Sequence, residues 1–288
     1  MSLVITGATG HLGRLVIEHL LDQGVPAHDI VAAGRAITKI KDLADRGVTV
    51  RVIDYDDPAT LRGAFHRADK VLLISGSELG QRARQHRNAI DAARQAGVAL
   101  LAYTSIANAG TATMRLAEEH QATEAALRAS GLPYALLRNS WYIENYTGQL
   151  ATILHHGAVI GSAGDGRVSA ATRADYAAAA AAVLTTSDDP GRGYELGGDQ
   201  AFTLTELTAE ISAQTGQDIS YHDLPAGQYA QVLTGAGLPE AVAAIVADSD
   251  RGLARGELFV ESTDMRQLIG RPTTTLREAI STTVAATS

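Results

Sequence analysis

Three glycines spaced three residues apart, Gly7, Gly10 and Gly13, could bring the backbone close to a phosphate group. The apolar run at residues 3–5 precedes them as a buried parallel strand would, and an apolar helical stripe over residues 12–20 follows. A helix that begins here would direct its free backbone amides at an anion. The spacing differs from the simplest Gly-x-Gly-x2-Gly fingerprint, so its position between strand and helix is what predicts a dinucleotide site.

Arg35 indicates which dinucleotide the site would prefer. It follows a second apolar run, residues 30–33, about 20 residues past the glycines, where an NAD site usually carries Asp or Glu for the ribose 2′-hydroxyl. A guanidinium suits a 2′-phosphate, whereas a carboxylate would repel it, so the residue favours NADPH. The alternative is a solvated arginine at the end of a strand.

The candidates for proton chemistry lie near Tyr103, at the end of a predicted strand. Short-chain reductases commonly carry Tyr-x3-Lys on the next helix, where the tyrosine protonates an alkoxide. In this chain no tyrosine stands four residues before a lysine. The predicted helix over residues 116–130 instead places His120 and Glu124 on one inward face. This pair could position a ligand or move a proton, or it could tie the helix to the sheet.

A polar and aromatic cluster follows the predicted strand at residues 134–137. It contains Asn139, Trp141, Tyr142 and Tyr146 at the carboxyl end of that strand, where open α/β sheets bind ligands. The flat rings could stack on a nicotinamide or a planar substrate. The alternative is an aromatic hinge between two lobes.

The elements that must position these residues alternate between short apolar runs and helical patterns. We therefore predict an α/β fold, a Rossmann-like doubly wound parallel sheet with a smaller C-terminal α+β lobe. Residues 1–146 would form the NADP-binding lobe and residues 147–288 the substrate-side lobe, with some of the latter returning to the sheet. Predicted strands cover residues 3–5, 30–33, 48–53, 71–74, 100–104 and 134–137, and in the second half of the chain residues 194–197 and 219–222.

Two further segments are expected to reach the cleft from the middle of the predicted sheet. Ser75, Gly76 and Ser77 form a small loop after the fourth strand that could pass under the nicotinamide ribose. Gln81 lies in the first turn of a helix predicted over residues 78–96. Arg173, at the start of an alanine-rich helix, could approach the cofactor or pair with a carboxylate.

Composition excludes several classes of partner and site. The 288 residues carry a formal net charge of −8, which offers no basic field for nucleic acid. The chain has no cysteine, so disulfides and thiolate catalysis are excluded, and no metal-ligand spacing is found. Its apolar runs are too short to span a membrane, and a strand predicted so close to Met1 leaves no room for a signal peptide. A cytoplasmic location is expected.

Several strings resemble the NmrA-like, atypical short-chain dehydrogenase/reductase family, and within it the bacterial type 2 NAD(P)H:quinone oxidoreductases. The resemblance covers nearly the whole chain and is most specific in its later strings. The matching strings include Ile5-Thr-Gly-Ala-Thr-Gly10, Gln85-His-Arg-Asn88, Leu137-Arg-Asn139, Ala171-Thr-Arg-Ala-Asp-Tyr176 and Pro272-Thr-Thr-Thr-Leu276.

The resemblance implies a Rossmann lobe, NADPH as the preferred donor and a small-molecule quinone as the acceptor. The cofactor contacts carried over from it are Gly7, Thr9, Gly10, His11, Leu12, Arg35, Ser75, Gly76, Ser77, Asn139, Trp141, Tyr142 and Arg173. His11 and Gly76 depart from the residues expected in the bacterial group, at positions where backbone contacts could substitute.

These observations lead to a hypothesis of hydride transfer from NADPH to a quinone-like acceptor. The residues expected to orient the acceptor or stabilise its developing charge are Gln81, Tyr103, His120 and Asn139. Two alternatives stay open: an NADP(H)-sensing regulatory protein without turnover, and a reductase of triphenylmethane-type dyes. The oligomeric state is also open, with a homodimer among the options.

Overall fold

A computed structural model describes residues 1–186 and 190–287 of the chain. Its strands are Leu3–Ile5 (β1), Ile30–Gly34 (β2), Thr49–Val52 (β3), Lys70–Leu73 (β4), Leu100–Ile106 (β5), Tyr134–Asn139 (β6), Ala158–Gly161 (β7), Arg192–Leu196 (β8) and Ser220–Asp223 (β9). Within those residues, seven strands form one parallel sheet in the order β3-β2-β1-β4-β5-β6-β8, and β7 pairs with β9.

Helices cover both faces of the large sheet and fill the smaller lobe. They are His11–Asp22 (α1), Lys41–Asp45 (α2), Pro58–Phe65 (α3), Arg82–Ala96 (α4), Arg115–Ala129 (α5), Glu144–Thr147 (α6), Leu150–His156 (α7), Arg173–Thr186 (α8), Leu204–Thr215 (α9), Ala226–Gly235 (α10), Glu240–Ala254 (α11), Asp264–Ile269 (α12) and Leu276–Thr287 (α13). In the described ranges, none is long and apolar enough to cross a bilayer.

The sheet is doubly wound, as the alternation of apolar runs predicts. From β1 the chain proceeds through β2 and β3 to one edge and then returns through β4, β5, β6 and β8 toward the other. Ligands in such sheets bind at the carboxyl ends of the strands where the order reverses. That point lies between β1 and β4, directly after the glycine turn.

The sheet separates two apolar cores, because successive strand residues point to opposite faces. Leu3 and Ile5 face the core under α1 and α8, whereas Val4 faces the core under α3, α4 and α5. A strand such as β1, which is covered on both faces, is therefore apolar. Parallel pairing places the carboxyl ends of β1, β4 and β5 at the same edge of the sheet.

A third core belongs to the smaller lobe, around β7 and β9. It is built from β7, α7, α9 and α13 and contains Phe202, Leu207 and Ile211. Thr203 and Glu206 form a capping box at the start of α9, since each side chain accepts a hydrogen bond from the other residue's backbone. Strand β8 belongs to the large sheet and helix α8 packs against that sheet, and the division of the chain at residue 146 stays a prediction.

Three local predictions need correction. Helix α4 begins at Arg82 and not at Glu78, because Gly80 has φ +77° and its amide is bonded to Glu119. Strands β5 and β6 each run two residues further than their apolar runs, since the ladder continues through polar side chains. Strand β7 has no counterpart among the predicted strands.

A buried ion pair fastens α5 to the sheet at the end of β6. Glu124 is 2% exposed and accepts from Arg138 through both oxygens, Nε to Oε1 at 2.9 Å and Nη2 to Oε2 at 2.7 Å. Ser105 and Arg128 also donate to this carboxylate. These donors lower the pKa of Glu124 against the opposing effect of its burial, so it stays ionised.

Loss of this buried charge is expected to destabilise the fold. Glu124→Gln leaves the Arg138 guanidinium without its bidentate partner, and we expect a loss of about 3 kcal/mol in urea unfolding. The matched control is Arg128→Gln, which removes a half-exposed partner of the same carboxylate and should cost no more than about 1 kcal/mol. Equal losses in the two variants would contradict this assignment.

Candidate functional site

The glycine turn after β1 adopts a conformation that only small residues allow. Gly7 has φ +62°, in the left-handed region, and a Cβ atom at Gly13 would lie 2.5 Å from the Gly7 carbonyl oxygen. A Cβ at Gly34 would lie 2.9 Å from Thr9 Cγ2. Helix α1 can therefore start immediately against the strand. The amides of its first turn, which begins at His11, have no partner one turn earlier in the helix and are available to an anion.

A cleft of about 510 Å³ opens over this turn, at the reversal point of the sheet. Most of the predicted cofactor contacts line it: Gly7, Thr9, Gly10, His11, Leu12, Arg35, Ser75, Gly76, Ser77 and Arg173. Other lining residues were absent from the predicted contacts, namely Gly13, Gly34, Lys39, Ile53, Asp54, Tyr55, Ile74, Glu78 and Gln85. The cleft thus joins the ends of β1, β2 and β4 to the start of α8.

The end of the cleft beside β2 carries opposite charges. Arg35 and Lys39 supply cations, and Arg35 Nη1 lies 2.5 Å from Glu78 Oε1. Tyr55 also lines the cleft, and its hydroxyl donates to Thr6 Oγ1 at 2.6 Å and to the Ile74 carbonyl at 2.8 Å. Asp54 lines the cleft, and Asp57 caps α3.

The loop at Ser75 and Gly76 is fixed through its backbone. The amide of Ser75 donates to Thr104 Oγ1 at 2.9 Å, and the amide of Gly76 donates to His86 Nε2 at 3.0 Å. The Gly76 carbonyl accepts from Arg82 Nε at 2.7 Å. The cleft wall at this point is consequently rigid, although it contains only small side chains.

His86 acts as a hydrogen-bond acceptor toward this loop, and so it must be neutral. Because Nε2 accepts from Gly76, the proton of the neutral ring resides on Nδ1, which lies 2.9 Å from Thr123 Oγ1. Burial first, and the Arg82 charge second, lower the pKa of His86 to about 3.

Tyr103, in the middle of β5, and His120, on α5, form a buried pair. The Tyr103 oxygen and His120 Nδ1 are 2.8 Å apart, Tyr103 has no exposed surface and His120 is 6% exposed. Burial raises the pKa of Tyr103 and lowers the pKa of His120 well below its usual value. Glu124 bonds to Ser105 and Arg138, so the inward His-Glu pair of the sequence serves two separate contacts.

Asn139 and Tyr142 lie near the α8 end of the cleft. Asn139 is 5% exposed, and its Oδ1 atom has no hydrogen-bond partner within the described part of the chain. Arg173, which lines the cleft, stacks its guanidinium 4.7 Å from the centre of the Tyr142 ring. An unpaired buried acceptor beside a cation and an aromatic ring is suited to a polar planar ligand.

Six of the predicted site residues are outside the lining of the cleft: Tyr103, His120, Asn139 and Tyr142, described above, together with Gln81 and Trp141. Gln81 is exposed immediately before α4, where its side chain accepts from Arg84. Trp141 packs against the core of the smaller lobe, and its carbonyl accepts from Tyr176 and Ala171. A direct role for either residue stays a prediction, as do the roles assigned to Tyr103, His120 and Asn139.

Comparison with known proteins identifies the family of the chain. Residues 7–187 match the family described as NAD(P)H-binding. The chain belongs to this NAD(P)H-binding family. Over 279 residues, 97% of either chain, it is 50% identical to quinone oxidoreductase 2 of Escherichia coli. The crystal structure of that E. coli NADPH-dependent enzyme, complexed with NADPH, matches with a TM-score of 0.94 over 97% of this chain and 99% of that one.

Two further relatives support the NmrA-like resemblance. The triphenylmethane reductase of Citrobacter sp., solved in complex with NADP(H), is 38% identical and matches with a TM-score of 0.92 over 98% of this chain and 100% of that one. An NmrA-like family domain-containing oxidoreductase of Aspergillus flavus is 29% identical over 76% of this chain and 73% of its own. The NAD(P)H-binding family and the Rossmann-like fold are therefore both confirmed.

The residues present fit the family's dinucleotide. Gly7 and Gly13 leave room that a Cβ atom would fill, and the start of α1 offers amides for a pyrophosphate. Arg35 and Lys39 both line the cleft, where they could neutralise an adenosine phosphate. Sequence reasoning missed Lys39 and Glu78 because their place in the cleft depends on tertiary folding.

Substitution of Gly13 tests the glycine turn. Gly13→Ala places a methyl group against the Gly7 carbonyl, so we expect a loss of roughly 1–3 kcal/mol in stability and at least about tenfold weaker NADPH binding. Gly63→Ala is the matched control, because Gly63 lies in α3 with open space around it and should gain about 0.5–1 kcal/mol. Unchanged NADPH affinity in Gly13→Ala, measured by fluorescence titration, would contradict the assigned turn.

The neutral state of His86 predicts a loss of stability in acid. Between pH 6.5 and about 3 the unfolded chain protonates His86 and the folded chain does not, so stability falls as the pH falls through this window. His86→Gln keeps an acceptor but does not titrate, and we expect its acid-induced loss to be smaller by about 2 kcal/mol. Parallel pH profiles of thermal unfolding for wild type and variant would contradict this.

Proposed function

We propose that the chain is an NADPH-dependent reductase that transfers hydride to a quinone-like acceptor. The observation that carries the proposal is the 50% identity to quinone oxidoreductase 2 across 97% of both chains, joined to a cleft with Arg35 at its adenosine end. When bound, the reduced nicotinamide supplies the hydride, and the protein supplies alignment and a site from which water is excluded.

The preference for NADPH over NADH rests on the charges near β2. Arg35 can form paired, charge-assisted hydrogen bonds with a 2′-phosphate, and Lys39 adds a second cation on the same side. In the described part of the cleft beside β2, the acidic side chains are Asp54 and Glu78. Asp54 follows β3 and Glu78 belongs to the loop after β4, so neither occupies the position after β2 where an NAD site usually carries its carboxylate. We therefore assign the site to the phosphorylated dinucleotide.

At the acceptor end, we assign positioning roles to buried groups. Tyr103 has no exposed surface, so it would act by holding His120 through the 2.8 Å hydrogen bond. A neutral His120 ring would orient an acceptor oxygen without placing a charge beside the nicotinamide. Asn139 would fix a carboxamide or an acceptor oxygen. A quinone needs no strong proton donor because its reduced oxygens are acidic, which makes the absence of Tyr-x3-Lys intelligible.

A triphenylmethane dye is the second candidate acceptor. The 38% identity and TM-score of 0.92 to the Citrobacter triphenylmethane reductase favour it. The reaction would differ in acceptor and not in donor, since both substrates are conjugated electrophiles that accept hydride. A cytoplasmic location and a homodimer stay predictions from the sequence.

NADPH oxidation by a simple benzoquinone tests this function. We expect turnover that prefers NADPH to NADH, with kcat/KM for NADPH lowered roughly 100-fold by Arg35→Glu and with NADH much less affected. The control is Arg62→Glu, a charge reversal at an exposed position of α3 outside the cleft. Tight NADPH binding without turnover on benzoquinone or a triphenylmethane dye would overturn the reductase proposal.

A further inference from the structure

A carboxylate competes for the cation that the cofactor site depends on. Glu78 lines the same cleft as Arg35, and its Oε1 atom lies 2.5 Å from Arg35 Nη1. The ion pair therefore spans the cleft from the loop after β4 to the end of β2. A 2′-phosphate bound by Arg35 would meet Glu78 as a second anion on the same guanidinium.

The Glu78 carboxylate has a second support that does not involve Arg35. Its Oε2 atom accepts from Gln85 Nε2 at 3.0 Å, and the same nitrogen donates to Asp56 Oδ2 at 3.1 Å. Gln85 is 3% exposed and belongs to α4, so it holds the carboxylate from the rigid side of the cleft. The hydrogen bond from Gln85 first, and Arg35 second, lower the pKa of Glu78, so it carries its charge at neutral pH.

We propose that Glu78 is a specificity-determining residue that limits the affinity of the cleft for 2′-phosphorylated dinucleotides. It does so by pairing with Arg35 in the free protein and by repelling the phosphate in the complex. The inference rests on the NADPH preference of the proposed function, and it assigns to Glu78 a role opposite to that of Arg35. An unphosphorylated dinucleotide can bind while the Arg35–Glu78 pair stays intact.

Two electrostatic costs follow for a phosphorylated ligand alone. Arg35 must release or share its carboxylate partner before it can bind the phosphate in a paired geometry. Because Gln85 keeps Glu78 in place, the released carboxylate stays close to a phosphate monoester of charge near −2. The phosphorylated cofactor is thus held less tightly than the cations alone would hold it, and NADP⁺ leaves faster after hydride transfer.

Direct binding measurements on Glu78→Gln test the inference without any acceptor. The substitution keeps the shape and a hydrogen bond to Gln85 but removes the charge. By isothermal titration we expect the Kd for NADPH to fall about fivefold, and the Kd for NADH to change less than about twofold. The difference between wild type and variant should shrink as salt is raised, because the pair is partly exposed.

Asp56→Asn is the matched control. Asp56 shares Gln85 and pairs with Arg84, so its loss removes one negative charge from the same network without touching Arg35. We expect it to change either Kd less than about twofold. Thermal unfolding of both free variants checks that they fold as the wild type does.

Unchanged or weaker NADPH binding by Glu78→Gln would overturn the inference, as would an equal gain for NADH and NADPH. The failure of the proposed reductase function is distinguishable from this result. A chain that bound NADPH in the predicted manner but reduced no quinone would leave the role of Glu78 supported.

Discussion

The cleft depends on the close approach of helix α1 to the loop after β1. Gly13 lies where a Cβ atom would meet the Gly7 carbonyl at 2.5 Å, and Gly7 takes a left-handed conformation to turn the chain. Because the helix starts so near the strand, its first amides open onto the point where the strand order reverses. The other residues that line the cleft surround the start of this helix.

The rest of the cleft combines a hydrogen-bonded wall beside β4 with a charged end beside β2. His86 accepts a hydrogen bond from the Gly76 amide, and Arg82 donates one to the Gly76 carbonyl. These two bonds fix the backbone of the cleft wall beside β4. At the end of the cleft beside β2, Arg35 pairs with Glu78, in a chain whose formal net charge is −8. We propose that a cation in this position binds a phosphate and that the opposing carboxylate moderates that affinity. Such a balance suits an enzyme that must release its oxidised cofactor in every cycle.

The strands and the glycine turn could be predicted from the sequence because burial on both faces demands continuous apolar runs. The same rule failed where burial and polarity coincide: β5 and β6 continue through Ser105 and Arg138, whose side chains are satisfied by Glu124. Spacing placed His120 and Glu124 on one helix face but could not show that they bond to different partners. Lys39 and Glu78 reach the cleft only through tertiary folding, so no local pattern predicts them.

The central claim is that the cleft holds NADPH in one orientation and directs its hydride to a quinone. It is tested most directly by single-turnover oxidation of NADPH that carries deuterium on one or the other face of nicotinamide C4. We predict that one labelled form reacts more slowly and loses its deuterium, whereas the other keeps it in the NADP⁺ formed. Equal loss of label from both faces, or bound NADPH that benzoquinone leaves unoxidised, would contradict the account.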